Sequence, residues 1–415
     1  MGRVAIFSLP FYSHVKPTLP LVEELISRGE EVIYYSDDAF RSLLADYDVT
    51  FRSYGDMQGL FTDNDPGIYL NNPKRMLDYL VPGVISKSKA VLNAILPQVM
   101  ADSPDYILRD CDAFWGRMLG ELLDIPITCY TLTFALNKEL LKRDPEFLIR
   151  QVFKIREPEQ AGAVSVSELD KYAESIAERH HVRGFGLIDA FSGNEQVNLV
   201  YTSKAFQPHA GAFDGRFVFI GPQFPGISPE HLHALQTTPR KQDSERKQPL
   251  IYISFGSIYT DKLEFYRTCL EAFGDSGARV VMSVGTKTDV ALLGEVPSNI
   301  QVSNFVPQLE ILEEADVFIS HAGYNSVCES LILDVPMVLL PQGADQFAIA
   351  SRLEELDAGC YLHDINISAG QLKEITFRTM RNERMRTQAR ALGCSFKDRT
   401  GIVNGVDSLL AFVKR

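Results

Sequence analysis

The residues whose types and spacing could do most chemistry lie between positions 305 and 346. The apolar run Asp316-Val317-Phe318-Ile319-Ser320 leads straight into His321-Ala322-Gly323-Tyr324-Asn325-Ser326, with Glu329 just beyond. That order predicts a strand, a glycine-containing turn and a helix beginning near Asn325. A helix start offers unpaired backbone N–H groups and the positive end of the helix dipole, which together favour an anion. Gly323 permits close backbone approach, and His321 adds a donor beside it. The pattern predicts a pyrophosphate pocket, although neither a Walker nor a GxGxxG sequence is present. Each residue alone also has a plainer reading. Ser326 and Glu329 are spaced as a capping box, His321 suits a hydrogen-bonded structural histidine, and Asp345 suits a helix cap.

The other candidate chemistry is acid–base. His14 lies in the loop after the first apolar run, in His14-Val15-Lys16-Pro17. An imidazole that is neutral near neutral pH is a fitting acceptor for a hydroxyl proton; the plainer alternative is a surface histidine before a helix started by proline. A carboxylate should orient such a base. Pro104-Asp105-Tyr106-Ile107-Leu108-Arg109-Asp110 reads as a strand that ends in one. Asp110 is the first choice, and Asp112, two residues on and on the same strand face, competes with it. Asp105 reads as a turn residue.

The elements that must position these groups alternate between strand and helix. Val4–Ser8 is a short apolar run of the kind buried on both faces of a parallel sheet. Pro17 opens a helical pattern carrying Leu19, Val22, Leu25 and Ile26, and Gly29 suits the position just past its end. Glu31–Tyr35 completes a βαβ unit. Residues 55–100, with Gly55, Gly59, Pro66, Gly67, Pro73 and Pro82, read as irregular, and residues 135–200 as helical and charged. Strands are expected at Asn198–Thr202 and Arg216–Ile220. The polar segment from Gly221 to about 248 reads as a linker. The alternation then restarts with Leu250–Ser254, a helix at Lys262–Phe273, and strands at Arg279–Val284, Asn299–Val302, Asp316–Ser320 and Pro336–Leu340.

Composition narrows the function classes. The chain has 415 residues, which favours two domains over one core. Its formal charge of -13, from 54 acidic and 41 basic residues, argues against a nucleic-acid partner. None of the six cysteines forms a C-x-x-C pair or stands at zinc spacing with histidine, so buried free thiols in a reducing compartment are expected. The opening apolar run is short and broken by Pro10, Ser13 and His14, unlike a signal peptide. No run reaches membrane-spanning length. A cytoplasmic protein without membrane insertion, monomeric or homodimeric, is the expectation.

Residues 305–346 resemble the nucleotide-sugar signature W-x-P-Q, H-A-G-x-N-S, E, P-x-x-x-D-Q of family 1, UDP-glycosyltransferase-like enzymes with the GT-B fold, most nearly the bacterial macrolide and flavonoid glucosyltransferases. The resemblance implies an α/β protein of two tandem Rossmann-like domains facing a central cleft. Residues 1–224 would bind the acceptor, 225–248 would link, 249–397 would bind the nucleotide sugar, and 398–415 would form a helix crossing back to the first domain. His321 and the N–H groups from Gly323 through Asn325 to Ser326 would hold the diphosphate, with Ser257 approaching from a second strand end. Glu329 would hold the ribose, Val306 and Gln308 would face the base, and Asp345 and Gln346 would hold sugar hydroxyls. Phe305 stands where the family usually has tryptophan, and its smaller ring can still stack on uracil or thymine.

By the same resemblance His14 would be the base and Asp110 its partner, although Ser13 and Lys16 replace the usual glycine and asparagine. The implied activity is inverting transfer of a hexose, glucose first, from UDP-glucose or a dTDP-sugar to a hydroxyl of a small lipophilic acceptor such as an antibiotic, polyketide or flavonoid. No metal is expected, because no D-x-D motif stands near the diphosphate. Phe11, Tyr12, Phe61, Tyr69, Trp115, Phe134 and Phe153 are candidates to line the acceptor pocket, each with plain core as its alternative. Another GT-B enzyme, such as a nucleotide-sugar epimerase or lipid-linked sugar transferase, and a non-catalytic nucleotide-sugar-binding auxiliary protein of an antibiotic pathway are the rivals. A dehydrogenase fits less well, since GxGxxG is missing even though Asp37 lies near the acidic ribose position.

Overall fold

The computed structural model describes residues 2–55, 60, 72–156, 158–161, 165–225, 227, 248–256, 260–364, 366–396 and 400–414. Most of the linker reading, Phe61, Tyr69 and Ser257 lie outside them. The chain divides into two compact units, Met1–Gly226 with Asp398–Arg415, and Ile227–Lys397. Each is an α/β unit built on one parallel sheet.

The first sheet has seven strands: β1 (Arg3–Phe7), β2 (Glu31–Ser36), β3 (Val49–Ser53), β4 (Tyr106–Asp110), β5 (Ile127–Thr131), β6 (Asn198–Val200) and β7 (Phe217–Phe219), ordered β3-β2-β1-β4-β5-β6-β7. The near-continuous apolar character of β1 follows from covering on both faces. Val4 and Ile6 join one buried cluster, and Ala5 and Phe7 the other, as the period of two requires.

Two readings of this unit change. Pro17 lies in a 3₁₀ turn at Lys16–Thr18, between a one-turn helix at Tyr12–Val15 and the main helix Leu19–Ser27. Residues 73–102, read as irregular, form one 30-residue helix through Pro82 and Pro97. Asn72 caps it by accepting the Arg75 N–H, and Pro73 occupies the first turn, where its missing N–H costs nothing. Met76, Leu77, Val81, Ile85, Val91, Ile95 and Val99 are its buried stripe. Packing along that stripe outweighs the hydrogen bonds that the inner prolines remove.

The helix Thr400–Val413 closes this unit's core: Val406, Leu409 and Leu410 join the cluster that holds Val4 and Ile6. Gly401 and Gly405 lie against Ile220, and Arg28 pairs with Asp407 at 2.8 Å.

The second sheet has six strands: β8 (Leu250–Ser254), β9 (Arg279–Ser283), β10 (Ile300–Ser303), β11 (Val317–Ser320), β12 (Met337–Leu339) and β13 (Cys360–Tyr361), ordered β10-β9-β8-β11-β12-β13. Among the cysteines, Cys111, Cys129, Cys269 and Cys328 are buried free thiols, Cys360 is half-buried and Cys394 exposed. No described helix is long and apolar enough to cross a membrane.

Candidate active site

In each sheet the strand order reverses at one place: between β1 and β4 in the first, and between β8 and β11 in the second. Loops leaving such a neighbouring pair part in opposite directions and open a crevice at the strands' carboxyl ends. The candidate residues gather at these two points.

In the first unit, the turn after β1 delivers His14 in the one-turn helix, and Asp110 is the last residue of β4. His14 Nδ1 lies 2.7 Å from Asp110 Oδ2. The carboxylate is buried at 1% exposure and the imidazole is 22% exposed. A carboxylate on Nδ1 keeps the ring proton there and leaves the lone pair on Nε2. The arrangement is a proton acceptor whose developing charge is met at once by a buried carboxylate.

Asp110 and Asp112 are separated by the end of the strand. β4 stops at Asp110, so Asp112 does not share its face. Asp112 gives its backbone N–H, at 3.0 Å, to Asp110 Oδ1. Packing around its carboxyl and then the Asp110 charge push it up to about 6, so it holds a proton more readily than an ordinary carboxylate. His14, Asp110 and Asp112 form the one group with metal-ligand spacing among the described residues, with ligand atoms within 4.8 Å of one another.

The apolar candidates divide. Trp115, Phe134 and Phe153 are core, each at most 1% exposed, which removes them as pocket lining. Tyr12 is 59% exposed, with the Lys16 ammonium 5.4 Å from its ring centroid, and half-buried Phe11 lies 5.9 Å from the His14 ring. Asp105 ties a strand start, accepting the Arg3 N–H at 2.7 Å, and Asp37 caps a 3₁₀ turn by accepting the Ala39 N–H.

In the second unit, β11 ends at Ser320 and Gly323 is the N-cap of the helix Tyr324–Ile332, one residue earlier than the sequence suggests. Its N-cap is a glycine with no side chain to cap it, so the first-turn N–H groups have no intrahelical acceptor. The capping-box reading therefore fails: with the cap at Gly323, Ser326 and Glu329 fall further into the helix. They serve Gln308 instead. Gln308 Nε2 donates to Ser326 Oγ at 3.0 Å and to Glu329 Oε2 at 2.6 Å, while Gln308 Oε1 accepts from Tyr252 at 3.2 Å. Gln308 thus orients the Glu329 carboxylate.

His321 is buried, and its ring fits between two glycines. A Cβ on Gly256 would lie 2.8 Å from Nε2, and one on Gly323 would overlap Nε2. Burial pushes the imidazole down to about 4, against the nearby Ser254 carbonyl, which raises it. His321 is therefore a neutral donor at physiological pH. Its Nδ1 is buried, and among the described residues no short hydrogen bond satisfies it.

The last motif places Asp345 as N-cap of the helix Gln346–Glu355, but its side chain makes no cap bond, so the simple capping role does not hold. Gln346 is buried, and its Oε1 accepts the N–H groups of Gln342 and Gly343 at 2.8 and 3.1 Å, folding the loop. Val306 is buried, Asn325 half-buried, and Phe305 stands 83% exposed. Sequence reasoning missed one feature: Ala322 and Ala344, one in each motif loop, are held left-handed at φ 64° and 56°. Such non-glycine strain persists where the surroundings impose it, often at functional loops.

Comparison with known proteins gives the family. Residues 267–395 match the family described as Erythromycin biosynthesis protein CIII-like, C-terminal domain. The NDP-glycosyltransferase YjiC of Bacillus licheniformis is 31% identical, over 99% of this chain and 98% of its own. The oleandomycin glycosyltransferase of Streptomyces antibioticus is 28% identical, over 90% and 82%. Among solved structures, the calicheamicin glycosyltransferase CalG4 shares the fold, with a TM-score of 0.75 at 23% identity over 100% of this chain and 99% of its own.

Proposed function

Because the chain belongs to the bacterial nucleotide-sugar glycosyltransferases of GT-B type, we propose that it transfers a hexose, glucose in the first instance, from UDP-glucose or a dTDP-sugar to a hydroxyl of a small lipophilic natural product such as a macrolide, polyketide or flavonoid. His14 is the general base. Its Nε2 takes the acceptor proton as the hydroxyl oxygen attacks the anomeric carbon, and Asp110 stabilises the imidazolium. The bond to the diphosphate breaks as the new one forms, so an α-linked donor yields a β-glycoside. The departing diphosphate carries the growing negative charge. His321 and the glycine-capped helix start at Gly323–Ser326 meet it with neutral donors and a dipole. Glu329, oriented by Gln308, holds the ribose, Phe305 stacks on the base beside Val306, and Asp345 and Gln346 hold sugar hydroxyls.

The observation that carries this reading is the 2.7 Å His14–Asp110 pair at the β1/β4 reversal. A non-catalytic nucleotide-sugar binder has no use for a buried carboxylate aimed at an imidazole. The test is His14→Ala and Asp110→Asn with UDP-glucose and a panel of phenolic and macrolide acceptors, products weighed by mass spectrometry. Loss of the base should lower kcat on the order of a hundred- to ten-thousandfold, with UDP affinity unchanged. Wild-type turnover in His14→Ala refutes the assignment.

A further inference from the structure

Arg109 precedes the proposed catalytic carboxylate in β4, and among the described residues no other lysine or arginine is buried. Successive strand residues point to opposite faces, so Arg109 and Asp110 leave β4 on opposite sides. The guanidinium turns back around the strand end. Nη1 donates to the carbonyls of Asp110, at 3.1 Å, and Cys111, at 2.7 Å, while Nε and Nη2 donate to Glu195 Oε1 at 3.1 and 2.9 Å. Glu195 is held in turn by Asn198: its N–H donates to Asn198 Oδ1 at 3.0 Å, and its carbonyl accepts from Asn198 Nδ2 at 2.8 Å. The following helix, Phe114–Leu123, leaves room for the arginine with Gly116, where a Cβ would lie 2.9 Å from Arg109 Cβ.

A buried ion pair is a poor way to stabilise a core, since apolar residues of like volume often do as well or better. Its value here is local. The two carbonyls that Arg109 grips belong to the turn that carries the Asp110 carboxylate. The Asp110 carbonyl also accepts the Ala113 N–H at 3.0 Å, which closes that turn. We propose that Arg109, anchored by Glu195, is a positioning residue for the reaction: it locks the Asp110–Ala113 turn so that the carboxylate stays on His14 Nδ1 and the Nε2 lone pair stays aimed at the acceptor. The proposal rests on the reading of His14 as base. It touches neither substrate nor His14 directly.

The test compares two acceptors of similar shape and different acidity, 4-nitrophenol and 4-nitrobenzyl alcohol, with UDP-glucose as donor. The phenol ionises near neutral pH and needs little help from a base; the alcohol needs it fully. Arg109→Lys keeps the charge and loses the two-sided grip, and Glu195→Gln keeps an acceptor oxygen and loses the charge that anchors the arginine. Both should lower kcat with the alcohol roughly 10- to 100-fold, as sub-ångström misplacement of a catalytic group does. Both should lower kcat with the phenol less than about 3-fold and leave the KM for donor unchanged. A purely structural role lowers both acceptors equally, and that result, or no loss with either, overturns the proposal. If Arg109→Lys does not fold, Glu195→Gln carries the comparison. His14→Ala is run alongside. If it fails to show the same selective loss, the base assignment itself falls. If it shows the loss and the other two variants do not, only the role of Arg109 falls.

Discussion

The packing of His321 between Gly256 and Gly323 allows a sharp test of the diphosphate site. Gly323 has φ −64°, which alanine adopts without strain, so Gly323→Ala acts through its methyl group alone. That Cβ would overlap Nε2 and lie 2.8 Å from Cε1. Ordinary contact begins at about 3.5 Å and Nε2 lies closer than Cε1, so the ring must retreat by about 1 Å. Overpacking of this size costs about 1–3 kcal/mol of stability. Retreat also removes a donor from a charged diphosphate, and a hydrogen bond to a charged group is worth about 1.5–3 kcal/mol. UDP should therefore bind roughly 10- to 150-fold more weakly. The assay is calorimetric titration of UDP into wild type, Gly323→Ala and the control Gly370→Ala, whose Cβ meets nothing within 4 Å. Wild-type affinity in Gly323→Ala, with the protein folded, would show that His321 does not hold the diphosphate.

Further consequences can be measured directly. His321 sits near 4 in the folded protein against an ordinary 6.5; the unfolded chain therefore binds the extra proton first as pH falls, and stability is lost from about pH 6.5 down to about 4, then levels off. The loss amounts to on the order of 3 kcal/mol, and urea melts at stepped pH should show a shallower slope for His321→Gln. UDP affinity should show no His321 titration between pH 6 and 8, because the donor is neutral throughout. Turnover should survive EDTA, since the diphosphate is met by a helix start and an imidazole; abolition by EDTA and recovery with Mg²⁺ would contradict this. Gly401→Ala, whose Cβ would overlap the Ile220 carbonyl oxygen and lie 2.7 Å from its carbon, should cost about 1–3 kcal/mol, read as a lower melting temperature.

The α/β class and the nucleotide motif were legible because their signals are contiguous: β1 and β11 are apolar runs ending in a loop, and the chemistry of residues 305–346 lies in one stretch. β3, β5, the two-residue β13 and the two-proline helix were not. Their formation depends on neighbours distant in sequence, as the buried stripe from Met76 to Val99 illustrates. The choice between Asp110 and Asp112 turned on where β4 ends, and strand boundaries follow from pairing with β5 rather than from β4 itself. Gln308 and Glu329 were both picked out, but not their bond, and the grip of Arg109 on its own strand end needs Glu195, which composition around residue 109 cannot announce. Gly323 was read as room for a ligand, whereas in the fold it first makes room for His321.

The helix Thr400–Val413 has a consequence for how the protein is made. The first unit's sheet is complete in sequence by Phe219, yet its core lacks Val406, Leu409 and Leu410 until the whole second unit has been synthesised. At about 5–20 residues per second, that interval is on the order of ten seconds. During it the earlier unit waits on the ribosome with an apolar face uncovered, while the second unit, continuous in sequence, is still being made. The half that carries His14 is therefore made first and completed last, and its uncovered apolar face is the surface a chaperone would shelter.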